Sequence, residues 1–145
     1  MTDHKHEFKK SYRRLLGRDV SISEDGSRFF CLFYENFIAA SPEARKLFAD
    51  TDFTKQVKML QRSMFHMISF YETGSENVSL LKIAESHSKR KYDIKLSLYD
   101  EWLEALVKTI REMDPEYDVG VELAWRLVLS PGITLMKHHH NYPVR

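Results

Sequence analysis

A single cysteine, Cys31, excludes a disulfide within the chain and fits a reducing compartment. It stands in the apolar run Phe29-Phe30-Cys31-Leu32-Phe33-Tyr34, which favours a small buried hydrophobe over a nucleophile. No strong excess of either charge is present: 22 Lys and Arg face 21 Asp and Glu, for a net +1. That balance argues against nucleic acid as a partner. No apolar run approaches the ~20 residues that a membrane helix needs, and the start, Met1 to Glu7, is too polar for a secretory signal. Asn-Gly hairpin dipeptides are absent, as is any sustained alternation of period two, so strands are not expected. What remains is one soluble, cytoplasmic domain over 1–145. Its 43% hydrophobic and 12% aromatic content suffices for a sizeable core.

The apolar residues recur at helical spacing nearly throughout. Phe8, Tyr12 and Leu15 mark a first amphipathic helix, ended by Gly17, and 21–26 reads as a turn. A very apolar second helix runs from about Arg28 to Ala40. Ser41-Pro42 stops it and opens a short helix carrying Ala44 to Phe48. Thr51 or Asp52 can cap the next, whose stripe is Phe53, Val57, Leu60, Met64 and Met67, and Thr73-Gly74-Ser75 breaks it. A short helix with Leu80, Ile83 and Ala84 follows. Two longer ones come after it, bearing Tyr99, Trp102, Leu106 and Ile110, then Val121, Trp125, Val128, Ile133 and Met136. Unequal helices with short connections predict an all-α fold other than a regular four-helix bundle.

His87 closes the Leu80–Ile83–Ala84 stripe, placing an imidazole on an apolar face. Its ring nitrogens need partners there, and either a backbone carbonyl or a metal centre can serve.

Four strings in order then carry a resemblance. Phe33-Tyr34-Glu35-Asn36-Phe37 leads into Ser41-Pro42-Glu43-Ala44-Arg45-Lys46-Leu47-Phe48. Thr51 to Leu60 follows, then Ile83-Ala84-Glu85-Ser86-His87, and finally Trp125. Over about 5–138 the chain resembles the globin family, in particular bacterial single-domain globins and the globin domains of flavohemoglobins and globin sensors. The resemblance implies a globin fold of about seven to eight helices around heme b. It makes His87 the iron ligand, Tyr34 and Gln56 the distal polar groups, and Phe48 the ring against the porphyrin. Leu60 and Met64 become the apolar wall, and Tyr92 and Ile94 approach the cofactor's edge.

Heme iron takes one neutral imidazole and leaves its other face to a diatomic ligand. His87 Nδ1–H would then be donated to a nearby carbonyl, with Ile83 the candidate. A phenol from Tyr34 and an amide from Gln56 can donate to a ligand that draws negative charge, each on the order of 1–3 kcal/mol. Reversible binding of O₂, or of NO or CO, is the function implied, with a homodimer or a separate reductase or signalling protein as possible partners. An enzyme consuming NO or peroxide and a heme-free interaction module are the alternatives. Each residue also has a plainer reading: Tyr34 as helix packing, Gln56 as a solvated first-turn residue, Lys55, Lys58, Lys89, Arg90 and Lys91 as a solvated face rather than propionate partners.

Two features depart from the family. The tyrosine and last-helix glutamate that polarise the proximal histidine in flavohemoglobins are not matched in register: the tyrosine's place is held approximately by Leu96, with Tyr92 and Tyr99 near in sequence but shifted. Ser130-Pro131-Gly132 should kink or split the last helix. His138-His139-His140 resembles a metal-binding tract, with an exposed, frayed terminus as the other reading.

Overall fold

The computed structural model describes residues 3–17, 24–75, 77–88 and 93–141. Among these are seven helices and no strand: α1 (His4–Leu16), α2 (Glu24–Ala40), α3 (Pro42–Leu47), α4 (Phe53–Thr73), α5 (Val78–Ser86), α6 (Leu96–Met113) and α7 (Val119–Asn141). Local chemistry sets their limits. Asp3, Ser41, Asp52 and Asn77 are N-caps whose side-chain oxygens accept from the first free backbone N–H groups, and Pro42 opens α3. Gly17 (φ 85°) and Gly74 (φ 69°) close α1 and α4 in a region that L side chains avoid.

α2 begins a turn earlier than its apolar stripe suggests, and takes in Gly26, which reads as part of a turn. Its buried face is Phe29, Phe30, Phe33, Tyr34 and Phe37. Cys31 lies off that face and is exposed, contrary to the expectation of a buried thiol. The helix packs on α6, while α1 and α4 both pack on α7. Proline does not split α7, which runs as one helix through Pro131. The span Val119–His140 is long and apolar enough to cross a membrane by length and composition, but half of it is buried inside this fold, as suits a core helix. At Gly132 the backbone comes so near α4 that an added Cβ would lie 2.6 Å from Met67 Cγ.

A buried polar cluster ties the two ends of the chain. Trp125, fully buried, meets Phe8 edge-on with ring centroids 4.7 Å apart, and its Nε1–H donates to Ser11 Oγ at 2.9 Å. Ser11 Oγ donates onward to Asp114 Oδ2 (2.6 Å), and Arg14 grips the same carboxylate through Nε (2.7 Å) and a terminal nitrogen (2.9 Å). The Glu116 N–H completes the shell. Burial alone would raise the Asp114 pKa. The bonds from Arg14, Ser11 and Glu116 outweigh it and hold the carboxyl below its ordinary value.

Candidate functional site

Between α2–α4 on one side and α5–α7 on the other lies a cavity of about 500 Å³. Tyr34 and Phe37 come from α2, Leu47 from α3, and Phe48 and Thr51 from the turn after it. Gln56, Met59, Leu60, Ser63 and Met67 come from α4. The other wall is Ile83, Ser86, His87, Ile94, Leu98, Tyr99, Trp102, Ile133 and Met136. Among the described residues, none that lines it is a lysine, arginine, aspartate or glutamate. The wall is mainly apolar, with a few placed polar groups, as in small-molecule and cofactor sites.

His87 sits just past α5 as its C-cap, with φ −85° and ψ −6°. Leu80 and Ala84, fully buried, anchor the helix beneath it. The Ile83 carbonyl expected to receive its ring proton is already engaged: it accepts from the His87 backbone N–H (3.1 Å) and from Ser86 Oγ (2.9 Å). His87 Nδ1 is buried without a hydrogen-bond partner. Burial lowers the imidazole pKa, so the ring is neutral at pH 7 and has a lone pair to offer. Beyond it, Asp93 takes a left-handed conformation (φ 48°), its N–H bonded to Ser88 O, and the Ile94 N–H returns to His87 O at 3.1 Å. These bonds fix the backbone that carries the imidazole and bring Ile94 to the wall.

Across the cavity, the Tyr34 phenol makes one long contact, donating to the Gln56 carbonyl at 3.5 Å. Burial pushes its pKa up to about 12, only partly offset by its hydrogen bond with Gln56, so it remains a proton donor throughout the physiological range. The Tyr34 ring meets Phe48 edge-on at 5.5 Å, and Phe53 on its other flank at 5.4 Å. Of the residues singled out from sequence, Tyr34, Phe48, Gln56, Leu60, His87 and Ile94 converge on this one cavity. Met64 does not: it is buried away from the wall, and Met67, three residues on, lines the cavity instead. Tyr92 lies outside the described residues, with Lys89, Arg90 and Lys91. Phe29, Phe30 and Phe33 pack into the core, and Phe37 is the α2 phenylalanine on the wall.

A known structure clarifies the arrangement. The crystal structure of a Pseudomonas aeruginosa PAO1 protein, described as structurally highly homologous to a human hemoglobin, shares 31% sequence identity with this chain. The match covers 95% of this chain and 98% of the other, with a TM-score of 0.82. The chain belongs to that hemoglobin-like family. No protein-family model matches the sequence, and neither does any curated protein.

The globin-like framework also shows what sequence reasoning missed. Tyr99, not Leu96, stands beside His87, with ring centroids 6.3 Å apart, because α6 starts at Leu96 and turns its fourth residue inward. Its hydroxyl is buried without a partner, as is Ser88 Oγ, and burial raises the phenol's pKa. The last helix contributes Ile133 and Met136 to the wall. The terminal histidines do not gather into a metal site among the described residues. His140 Nε2 instead pairs with Asp93 Oδ1 at 2.8 Å, which secures the last turn of α7 rather than leaving it frayed.

Proposed function

We propose that this globin-like chain holds heme b in the 500 Å³ cavity, with His87 as the iron ligand, and binds O₂ or a similar diatomic molecule reversibly. The observation that carries the reading is a neutral imidazole on an apolar wall, its Nδ1 buried and unpartnered, facing a polar pair across the cavity. Leaving a buried polar atom unsatisfied costs on the order of 1–3 kcal/mol, and such costs concentrate at functional sites. The residues present fit heme. Phe48, Leu60, Ile94, Met67 and Leu98 offer the apolar faces that a porphyrin requires, and His87 is a neutral nitrogen donor. Bound there, heme would supply the iron at which a diatomic ligand is held.

The chain's own residues do the rest. Tyr34 keeps its proton at any physiological pH and has only a long bond to give up, so its O–H can turn to an incoming ligand. Gln56 can add its side-chain amide. Leu60 and Met67, buried and apolar, line the same cavity, and an apolar surrounding strengthens any hydrogen bond made in it. The alternative, an enzyme consuming NO or peroxide, takes support from Tyr99 beside His87. Among the described residues the wall holds no carboxylate to draw charge onto the imidazole, and this favours the carrier reading.

The test is an absorbance spectrum of the purified protein titrated with hemin. A Soret band saturating at one heme per chain supports the reading, and its absence overturns it in favour of a heme-free module. His87→Ala should abolish the histidine-ligated ferrous spectrum, and added imidazole should partly restore it. An unchanged spectrum would move the ligand elsewhere.

A further inference from the structure

Six methionines stand in the chain, and their surroundings differ sharply. Met1 lies outside the described residues. Met64, Met67 and Met136 are buried, at 1%, 4% and 5% exposure, and Met113 is partly covered against the core. Met59 is 58% exposed, and no other methionine among the described residues is exposed. It also lines the 500 Å³ cavity, together with Leu47, which is 45% exposed. A side chain that reaches both the cavity and solvent stands at the cavity's mouth. Met59 comes to that mouth from α4, and Leu47 from the end of α3.

Single exposed apolar residues are ordinary on protein surfaces, and for packing alone a leucine would serve at this position. A thioether differs from leucine in having a soft, polarisable sulfur that takes up electrophilic oxygen. Met67 and Met136 line the same cavity but are shielded, so an oxidant arriving from solvent meets Met59 first. Cys31 is exposed as well, but it sits on α2 and does not line the cavity. Oxidation changes what Met59 can do at the mouth. A sulfoxide is a polar group, and covering it without a hydrogen-bond donor is unfavourable, so it turns towards water.

We propose that Met59 is a peroxide-oxidised modification site whose sulfoxide loosens the cavity's hold on an apolar occupant. The sulfur lone pair attacks one oxygen of hydrogen peroxide, the O–O bond breaks and an S–O bond forms. The sulfur is oxidised by two electrons and the peroxide is reduced. The departing hydroxide takes the proton from the transferred oxygen and leaves as water. A methionine sulfoxide reductase reverses the step, with two thiols becoming a disulfide and the oxygen leaving as water. Reduced, Met59 covers the mouth with an apolar side chain. Oxidised, it withdraws, and the occupant escapes faster. That the occupant is heme rests on the reading above; the oxidation itself does not.

The purified chain is treated with limiting hydrogen peroxide before any hemin is added, and its peptides are read by mass spectrometry. Met59 should be oxidised before Met64, Met67, Met113 and Met136. Retention in the cavity is read by affinity for the apolar dye anilinonaphthalene sulfonate, and by the rate at which hemin passes from the loaded chain to excess apomyoglobin. Oxidation should weaken dye binding and speed hemin loss by about threefold or more. Met59→Leu should keep the parent's values and lose the response to peroxide, while Met59→Gln, polar from the start, should match the oxidised parent. Sulfoxide reductase with a thiol should restore the treated parent. Oxidation that falls first on a buried methionine overturns the proposal, as does an unchanged cavity once Met59 is oxidised. So does a response that survives in Met59→Leu, since another group, Cys31 included, is then responsible. A chain that takes up dye but no hemin sinks the heme reading alone, because dye affinity still decides the role of Met59. A chain that holds neither overturns both.

Discussion

Two buried polar regions of this protein handle their hydrogen bonds in opposite ways. Around Asp114 every group is answered: Trp125 gives to Ser11, Ser11 and Arg14 give to the carboxylate, and the Glu116 backbone fills the remaining place. Around His87 the groups are left open, with His87 Nδ1, Ser88 Oγ and Tyr99 Oη all buried and unpartnered. The two regions share α6, so fold class does not separate them. A satisfied cluster holds the ends of a fold together. An unsatisfied one, on the wall of an apolar cavity, costs the fold stability at the place proposed here for heme.

The largest effect should come from breaking the satisfied cluster. Asp114→Ala leaves Ser11 without its acceptor and Arg14 with only the exposed Glu116 carboxylate at 3.0 Å, and should destabilise the protein by about 3–5 kcal/mol in denaturant unfolding. The pH response follows from the depressed pKa of Asp114. A carboxyl that ionises more readily folded than unfolded stabilises the fold above its unfolded pKa, near 3.9, and that contribution is lost as pH falls through the folded value. Stability of the parent should therefore decline below about pH 4, and Asp114→Asn should flatten part of that decline. An equal slope in both proteins would remove Asp114 as its source.

Next in size is the α4–α7 contact that shapes the cavity's rear. Gly132→Ala places a methyl 2.6 Å from Met67 Cγ and 3.1 Å from Met67 Cβ, atoms near the helix backbone that cannot swing away freely. A cost of about 1–3 kcal/mol is expected, with partial recovery in Gly132→Ala/Met67→Ala, measured by thermal unfolding. A neutral Gly132→Ala would mean that the helices separate easily there.

Much of this was legible in the chain, for identifiable reasons. Ser41-Pro42, Asp52 and Gly74 act within one turn of backbone, and each set a helix end as local chemistry requires. Tyr34, Phe48, Gln56 and His87 come from four segments. That they meet was implied by the resemblance to the globin family, carried by ordered strings with near-correct intervals; periodicity alone does not show it. What escaped notice depends on rotation about a helix axis. Met64 and Met67 share one stripe, yet a difference of about 60° around the helix axis sends one into the core and the other to the cavity. Tyr99 reads as shifted from the position of Leu96 in the sequence because the start of α6, capped by no side chain, leaves its register open. The Asp114 cluster joins residues about a hundred positions apart, and no local pattern announces such a partner.

On the unsatisfied side, Tyr34→Phe tests the distal donor. Its hydroxyl is held by a single bond of 3.5 Å, so its loss should cost the fold little. O₂ dissociation from the heme-loaded protein should accelerate about tenfold or more, or ~1.4 kcal/mol, while CO, with less charge on its outer atom, changes little. Gln56→Leu should act in the same direction and less strongly. Rapid-mixing kinetics decide between donor and packing roles, and an unchanged O₂ off-rate leaves Tyr34 as packing alone.

The smallest effect gives the sharpest form of the comparison. Tyr99→Phe removes an oxygen that is buried and has no partner, while keeping the ring that packs near His87. If the hydroxyl is unanswered in the heme-free fold, its desolvation is a cost without return, and deleting it should leave stability unchanged or raise it by up to about 1 kcal/mol. The same deletion in the heme-loaded protein removes a group poised beside the iron's ligand, so its signature should be spectroscopic. A shift in the iron–histidine stretching band, with the heme-free thermal midpoint held or raised, is the expected pair of results. Asp114 and Tyr99 would then respond with opposite signs to loss of a buried oxygen. A fall of more than about 1 kcal/mol in heme-free Tyr99→Phe would show that the hydroxyl has a partner after all, and the contrast between the two regions would fail at that residue.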